Sequence, residues 1–196
     1  MSMSETLLVD DGAPKTDGKE YRSVLGMLQY LSYTQPDITY SVNKLTQFNT
    51  SPSVLYWKAV KHILRYLKET LQYGIRISTQ KSTALCAYAD ADWAGDINDR
   101  RSISGDIVYL GTTPIPWSSR KQPTVSRSSI EAKYRAVASA LSETNLVTHL
   151  LKDLHVSLHA APMILCDNLR VTYIAENPVH HTKMKHLEVD LHFVRN

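Results

Sequence analysis

At 196 residues with 43% apolar side chains, the chain is long enough for one good-sized domain or two small ones with a real core, which excludes wholesale disorder. The formal charge of +3 is too mild to demand or exclude a nucleic-acid partner, so local basic clusters must decide that point. No apolar run approaches the length of a membrane-spanning helix, and the two cysteines, Cys86 and Cys166, with no signal peptide ahead of them, read as reduced core thiols of an intracellular protein.

Residues 1–20 are polar, punctuated as "VDDGAPKTDGKE", and read as a disordered tail or linker. "YRSVLGMLQYLSYT" places Val24, Leu28 and Leu31 at helical spacing, "QPDI" breaks the pattern, and "DITYSVNKLTQF" reads as a second helix. "SPSVLYWKAVKHILRYLKETL" is the clearest helix, with Ser53 as N-cap and Tyr56, Val60, Ile63, Leu64 and Leu67 as its apolar stripe. Its other side carries Lys58, Lys61, Arg65 and Lys68, which read as a solvated face rather than a track for phosphates. Near Tyr73 the pattern changes. "YGIRIST", "ALCAYAD", "GDIVYLG" and "PIPWSS" read as strands, with Gly111 to Pro114 as the turn between the last two. A long helix begins near Ser128 and runs toward Leu154, with Ile130, Tyr134, Val137 and Leu141 as its apolar stripe. "APMILCD" reads as a short buried strand, "NLRVTYIAE" as a short helix ended by Asn177-Pro178, and "KHLEVDLHFVRN" as a last helix. The expected division is a tail over 1–20, a helical segment over 21–72 and an α/β domain over 73–196.

The stretch "CAYADADWAGD" crowds carboxylates at the end of an apolar run. On a strand, Tyr88, Asp90 and Asp92 share one face and Ala87, Ala89 and Ala91 the other. Neighbouring carboxylates on one face need a cation, a proton or water. Further acids stand at comparable places: Glu131 in the first turn of the long helix, Asp167 at the end of "MILC", Glu188 and Asp190 in the last segment. In an α/β sheet, strand ends and helix starts converge at one edge, and acids gathered there suit hard divalent cations. A pair of such ions activates water and stabilises a leaving oxygen in phosphodiester hydrolysis. Structural roles compete: Glu131, three residues after Ser128, completes a capping box, and Asp167 is placed to N-cap the next helix. A calcium loop starting at Asp90 is set aside, because its fifth position is Ala94 and its twelfth Arg101. Zinc at His180, His181, His186 and His192 lacks any supporting cysteine or closed ligand spacing.

The words "YADADWAGDINDRRSISG", "PIPWSSRKQPTVSRSSIEAKYRAV", "CDN" and "NPVHHTKMKHLEVDLHFVR" together resemble the ribonuclease H domain of copia-type retrotransposon Pol polyproteins. Upstream, "YRSVLGMLQYLSYTQPDITYSVNKL" and "WKAVKHILRYLK" resemble the end of the reverse transcriptase of the same family, its thumb or connection region. The resemblance implies a ribonuclease H-like α/β fold, a mixed β-sheet flanked by helices, with the N-terminal helical segment ahead of it. It implies metal-dependent cleavage of the RNA strand of RNA–DNA hybrids by two Mg2+ ions, for which Mn2+ substitutes. Asp90, Glu131 and Asp167 match the first three catalytic acids and metal ligands of the family, and His181 its histidine in proton transfer or product release. For the fourth acid, Glu188 is preferred over Asp190, which is expected to be solvated or paired with a lysine. Arg100, Arg101, Arg120, Lys121 and Arg127 flank the acidic words and are expected to hold substrate phosphates. The implied partners are the hybrid and the remainder of the polyprotein, with no membrane and no small-molecule cofactor, in the cytoplasm within a virus-like particle or in the nucleus. Departures from the family pattern are Lys133, where an acid is usual, Met184 and His180. On a helix Lys133 lies well around from Glu131, so no direct effect on metals is expected. The paired aspartates of a polymerase are absent, which excludes DNA synthesis by this chain. The competing reading is a catalytically inactive fold that binds nucleic acid or a protein.

Overall fold

The structure is a computed structural model that describes residues 7–8, 11–77, 82–176, 190 and 193–194. It divides into two compact units, Met1–Ile75 and Arg76–Asn196.

In the first unit, α1 (Gly18–Leu31) opens where the Asp17 carboxylate accepts from the backbone amides of Lys19 and Glu20. Pro36–Ile38 forms one 3-10 turn, and α2 (Thr39–Thr46) and α3 (Val54–Glu69) follow. Tyr21, Leu25, Val42, Leu45, Tyr56 and Val60 close a core of their own, in which Phe48 stacks on Tyr56 at 4.2 Å. The Tyr21 hydroxyl donates to the Leu45 carbonyl, so its polar end is satisfied inside that core. Residues expected to be a tail are pinned here: the Thr16 amide donates to the Pro52 carbonyl, and the Val54 amide to Pro14. Ser53 stands at the N-cap position of α3 but makes no capping bond, because its hydroxyl donates to the Asp11 carboxylate instead. Leu64, expected in the buried stripe, is exposed, while Tyr56, Val60 and Ile63 are buried. The basic residues Lys58, Lys61, Arg65 and Lys68 are all exposed.

The second unit is built on a mixed four-stranded sheet of order β3-β2-β1-β4, with β1 at Leu85–Ala91, β2 at Ile103–Leu110, β3 at Thr113–Lys121 and β4 at Met163–Leu165. β1 runs antiparallel to β2 and parallel to β4. The β2–β3 hairpin turns on Gly111, whose φ of +60° suits glycine. Residues 73–77, expected to begin a strand, are not strand. Both edges of β1 are already taken, by β2 and β4, so no ladder beside it is open to them.

The helix α4 (Ser129–Asp153) packs across β1 and β2. Its most buried side runs through Ala132, Ala136, Ala140, Thr144, Val147 and Leu151, with Tyr134 and Val137 beside it. It meets Ala87, Ala89 and Ala91 of β1 in one apolar cluster. Small side chains on both partners let the helix approach the sheet closely, which fixes the height of its first turn above the strand ends. β4 is less buried than its apolar run suggests: Met163 and Leu165 are exposed and only Ile164 turns into the core. After it, α5 (Leu169–Glu176) contributes Val171 and Ile174 to the same cluster.

Candidate functional site

The parallel register of β1 and β4 builds the site. Cys86, Ala87 and Tyr88 pair with Met163, Ile164 and Leu165. Two residues beyond the last of these pairs stand Asp90 and Asp167, so the same register brings them side by side on the face that Tyr88 and Leu165 share. Neighbouring strands lie about 4.8 Å apart, so two carboxylates so placed reach a common atom between them.

That atom is the ammonium nitrogen of Lys133. Its Nζ lies 2.7 Å from Asp90 Oδ1 and 2.5 Å from Asp167 Oδ1. The lysine side chain is 16% exposed, against 70% and 66% for the two aspartates, so its stem lies beneath the carboxylates it joins. Burial works to lower the Lys133 pKa, but the hydrogen bonds to Asp167 and Asp90 outweigh it and the value is raised. The expectation of no direct effect of Lys133 at a metal rested on its position around the helix from Glu131, and that position does not keep its ammonium from Asp90 and Asp167. Its Cα is well around the helix from Glu131, but Glu131 points inward, and the four-carbon stem carries the charge over the strand ends.

Glu131 is buried, with 1% of its surface exposed. Its Oε2 accepts from the Arg127 amide at 2.8 Å, and its Oε1 takes the Arg135 guanidinium at 2.7 Å, one helical turn on. The Ser128 hydroxyl accepts from the Glu131 amide, which is the first half of a capping box. The return bond goes to Arg127, one residue earlier than a capping box needs. Arg135 also donates to the Thr124 hydroxyl, so the guanidinium ties the helix to the segment before it.

Asp167 does not cap α5, because the neighbouring Asn168 carboxamide oxygen accepts from the Arg170 amide in that role. This leaves the Asp167 carboxylate to Lys133. Asp190 is half-buried rather than solvated. Burial raises its pKa, Arg135 opposes that and Glu131 adds to it, so Asp190 stands within electrostatic reach of both. Glu188 and His181 lie outside the described residues. Among the described residues, no three His, Cys, Asp or Glu side chains gather closely enough to hold a metal ion.

The remaining acids of "CAYADADWAGD" are held by the protein. Asp92 Oδ1 accepts from the Ile103 amide at 2.7 Å, and buried Asp96 pairs with Lys121 at 2.9 Å. Lys121 also meets Asp99 at 2.9 Å, and Arg101 pairs with Asp99 at 3.5 Å. Arg120 pairs with Glu143 at 3.2 Å. Of the five basic residues expected at phosphates, Lys121, Arg101 and Arg120 are thus engaged with carboxylates, and Arg100, Arg127 and also Arg120 are exposed. Trp93 is exposed beside the edge and donates through Nε1 to the Ser126 carbonyl, a contact that sequence reading did not single out.

The chain is 47% identical, over its whole length, to the retrovirus-related Pol polyprotein from transposon RE2 of Arabidopsis thaliana, of which it spans 14%. It is 48% identical, again over its whole length, to that from transposon RE1 of the same plant, spanning 13% of it. Over 89% of its length it is 33% identical to the Pol polyprotein from transposon TNT 1-94 of Nicotiana tabacum, and covers 13% of that protein. No protein-family model matches the chain. No solved structure matches it.

Proposed function

From a chain whose homologues, over its whole length, are copia-type retrovirus-related Pol polyproteins of transposons, we propose a ribonuclease H segment of such a polyprotein that hydrolyses the RNA strand of RNA–DNA hybrids. The observation that carries this reading is the convergence of Asp90 and Asp167 on one cation at the ends of two adjacent parallel strands. Two exposed carboxylates held by backbone register form half of a hard-cation seat. With the Lys133 ammonium withdrawn, Asp90 and Asp167 would hold Mg2+ or Mn2+ between them, while Glu131 and Glu188 or Asp190 are further ligands by resemblance alone, Glu131 having first to leave its pairing with Arg135. The bound ions would supply an activated water and a stabilised leaving 3′-oxygen.

The residues of the chain do the positioning. Arg135 and the Arg127 amide fix the Glu131 carboxylate at the helix start. Arg100 and Arg127 are exposed cations for the hybrid backbone, and Trp93 offers an apolar face beside it. His181 is assigned the proton-transfer role by resemblance alone. The partners of this reading are the hybrid and the rest of the polyprotein, in the cytoplasm or nucleus. The test is cleavage of an end-labelled RNA–DNA hybrid by the purified chain in Mg2+, Mn2+ or chelator. Metal-dependent cleavage abolished by Asp167→Asn supports the reading, and no cleavage in either metal refutes it.

One observation favours the inactive alternative, a nucleic-acid or protein-binding module of the same fold. The cation between the two aspartates is the chain's own lysine.

A further inference from the structure

We infer that the Lys133 ammonium is an internal cation occupying the seat between Asp90 and Asp167, and that a divalent ion enters this edge only by displacing it. The inference rests on the reading of the edge as a divalent-cation site. Three observations carry it. The first is identity of atoms. Nζ sits at 2.7 Å and 2.5 Å from one oxygen of each aspartate. A magnesium ion needs such oxygens at about 2.0–2.1 Å, so an ion touching both would overlap the lysine nitrogen. Ammonium and metal are therefore alternatives.

The second observation is that the seat does not depend on its occupant. Asp90 and Asp167 are brought together by the β1–β4 register and by the cluster of Ala87, Ala89, Ile164 and Val171 beneath it. Removing the lysine charge leaves the two backbones where they are. The third is that the aspartates do not need Lys133 for solvation. At 70% and 66% exposure, water satisfies either carboxylate alone. The consequence of the contact is occupancy of the seat rather than stability of the fold.

Lysine is a flexible tether, so the competition is graded rather than absolute. Apparent metal affinity falls by the fraction of molecules in which the seat is open, so an open fraction of about one tenth weakens binding about tenfold. Lys133→Met keeps the length of the stem and removes the charge. Lys133→Glu adds a carboxylate in its place.

The test is isothermal titration calorimetry of the full chain with Mn2+ and with Mg2+. Lys133→Met should bind either metal about tenfold more tightly than the unaltered chain, and Lys133→Glu at least as tightly. Adding Asp90→Asn to Lys133→Met should remove the gain. Equal affinities in the unaltered chain and Lys133→Met overturn the inference. If the variants do not fold, the unaltered chain decides it. Its hydrogen-bonded lysine ammonium resonance in 15N NMR should be lost as Mg2+ is added, and a resonance unmoved at metal saturation overturns the inference. Hybrid cleavage is scored separately. Tighter metal binding by Lys133→Met without cleavage leaves the lysine inference standing and sinks the hydrolase reading. Cleavage by the unaltered chain, with affinity unchanged in Lys133→Met, does the reverse.

Discussion

Replacing Arg135 with methionine strands a buried charge. Glu131 and Arg135 meet at 2.7 Å, with their side chains 2% and 18% exposed. Removing one partner of a buried pair costs about 3–5 kcal/mol, because the remaining charge loses both its solvent and its partner. Two features of this site reduce that figure. The Arg127 amide still donates to Oε2 at 2.8 Å, and Arg135 is partly wet. The expected cost is roughly 2–3 kcal/mol, which is about a 30- to 150-fold change in the folded-to-unfolded ratio. Arg135 also acts to lower the Asp190 pKa, so Asp190 loses a countercharge in the same substitution. The measurement is urea denaturation in EDTA, in a Trp57→Phe background. Tryptophans 93 and 117, both in the second unit, then report that unit alone. Combining Arg135→Met with Glu131→Gln removes the stranded charge and should recover most of the loss. A cost below about 0.5 kcal/mol for the single variant, or a double variant no more stable than the single, would refute the account of Glu131 as a charge held by Arg135.

The other predictions concern the sheet unit. Asp106 is buried on β2, its Oδ1 takes the Ser118 hydroxyl and its Oδ2 has no hydrogen-bond partner among the described residues. Burial, opposed by Ser118 and reinforced by Glu143, raises its pKa above the ordinary 3.8. Because the folded value is the higher one, the stability from this group is complete below its unfolded pKa and is lost as pH rises through the folded value. Asp106→Asn should therefore flatten the pH profile of stability in that window and leave the protein at least as stable at neutral pH. An unchanged profile would contradict the assignment. Ala136 is fully buried where α4 meets the sheet, so Ala136→Leu should cost about 1–3 kcal/mol by overpacking, read as a fall in the denaturation midpoint at constant slope. An unshifted midpoint would mean that helix and sheet are not in close contact there.

Much of this arrangement is legible in the residues. The alternation of Ala87, Ala89 and Ala91 with Tyr88 and Asp90 states which face of β1 is buried, and the structure has that face under α4. Asp90 and Asp167 each follow an apolar run, which is how two parallel strand ends read in sequence. What could not be read is where long side chains go. A helical wheel assigns a direction to each Cα, and it set Lys133 apart from Glu131. It contains no term for a lysine stem reaching across a strand end, nor for Glu131 turning inward to Arg135. Ser53 failed as a cap for a similar reason: a hydroxyl chooses among all acceptors within reach, and Asp11 lies far away in sequence. The exposure of Met163 and Leu165 follows from tertiary context, since an apolar run of three residues carries no statement about what covers its second face.

The β1–β4 ladder has consequences for the order in which the chain folds. β1, β2 and β3 follow one another in an antiparallel meander, through residues 92–102 and the 111–112 turn, whereas β4 is reached only after the 25 residues of α4 have been laid down. Its ladder is three residue pairs long. Closing so long a loop for so few bonds is the least favourable pairing in the sheet, so it is expected last. Asp90 is then in place while Asp167 is still remote, and Lys133, already on its helix, meets one aspartate before the other. Amide exchange would display this as weak protection at Ile164 beside strong protection at Ala87 and Val108. The second aspartate thus arrives at a strand end where the first aspartate and the lysine already stand, and the seat between the two carboxylates is completed only when the last ladder closes.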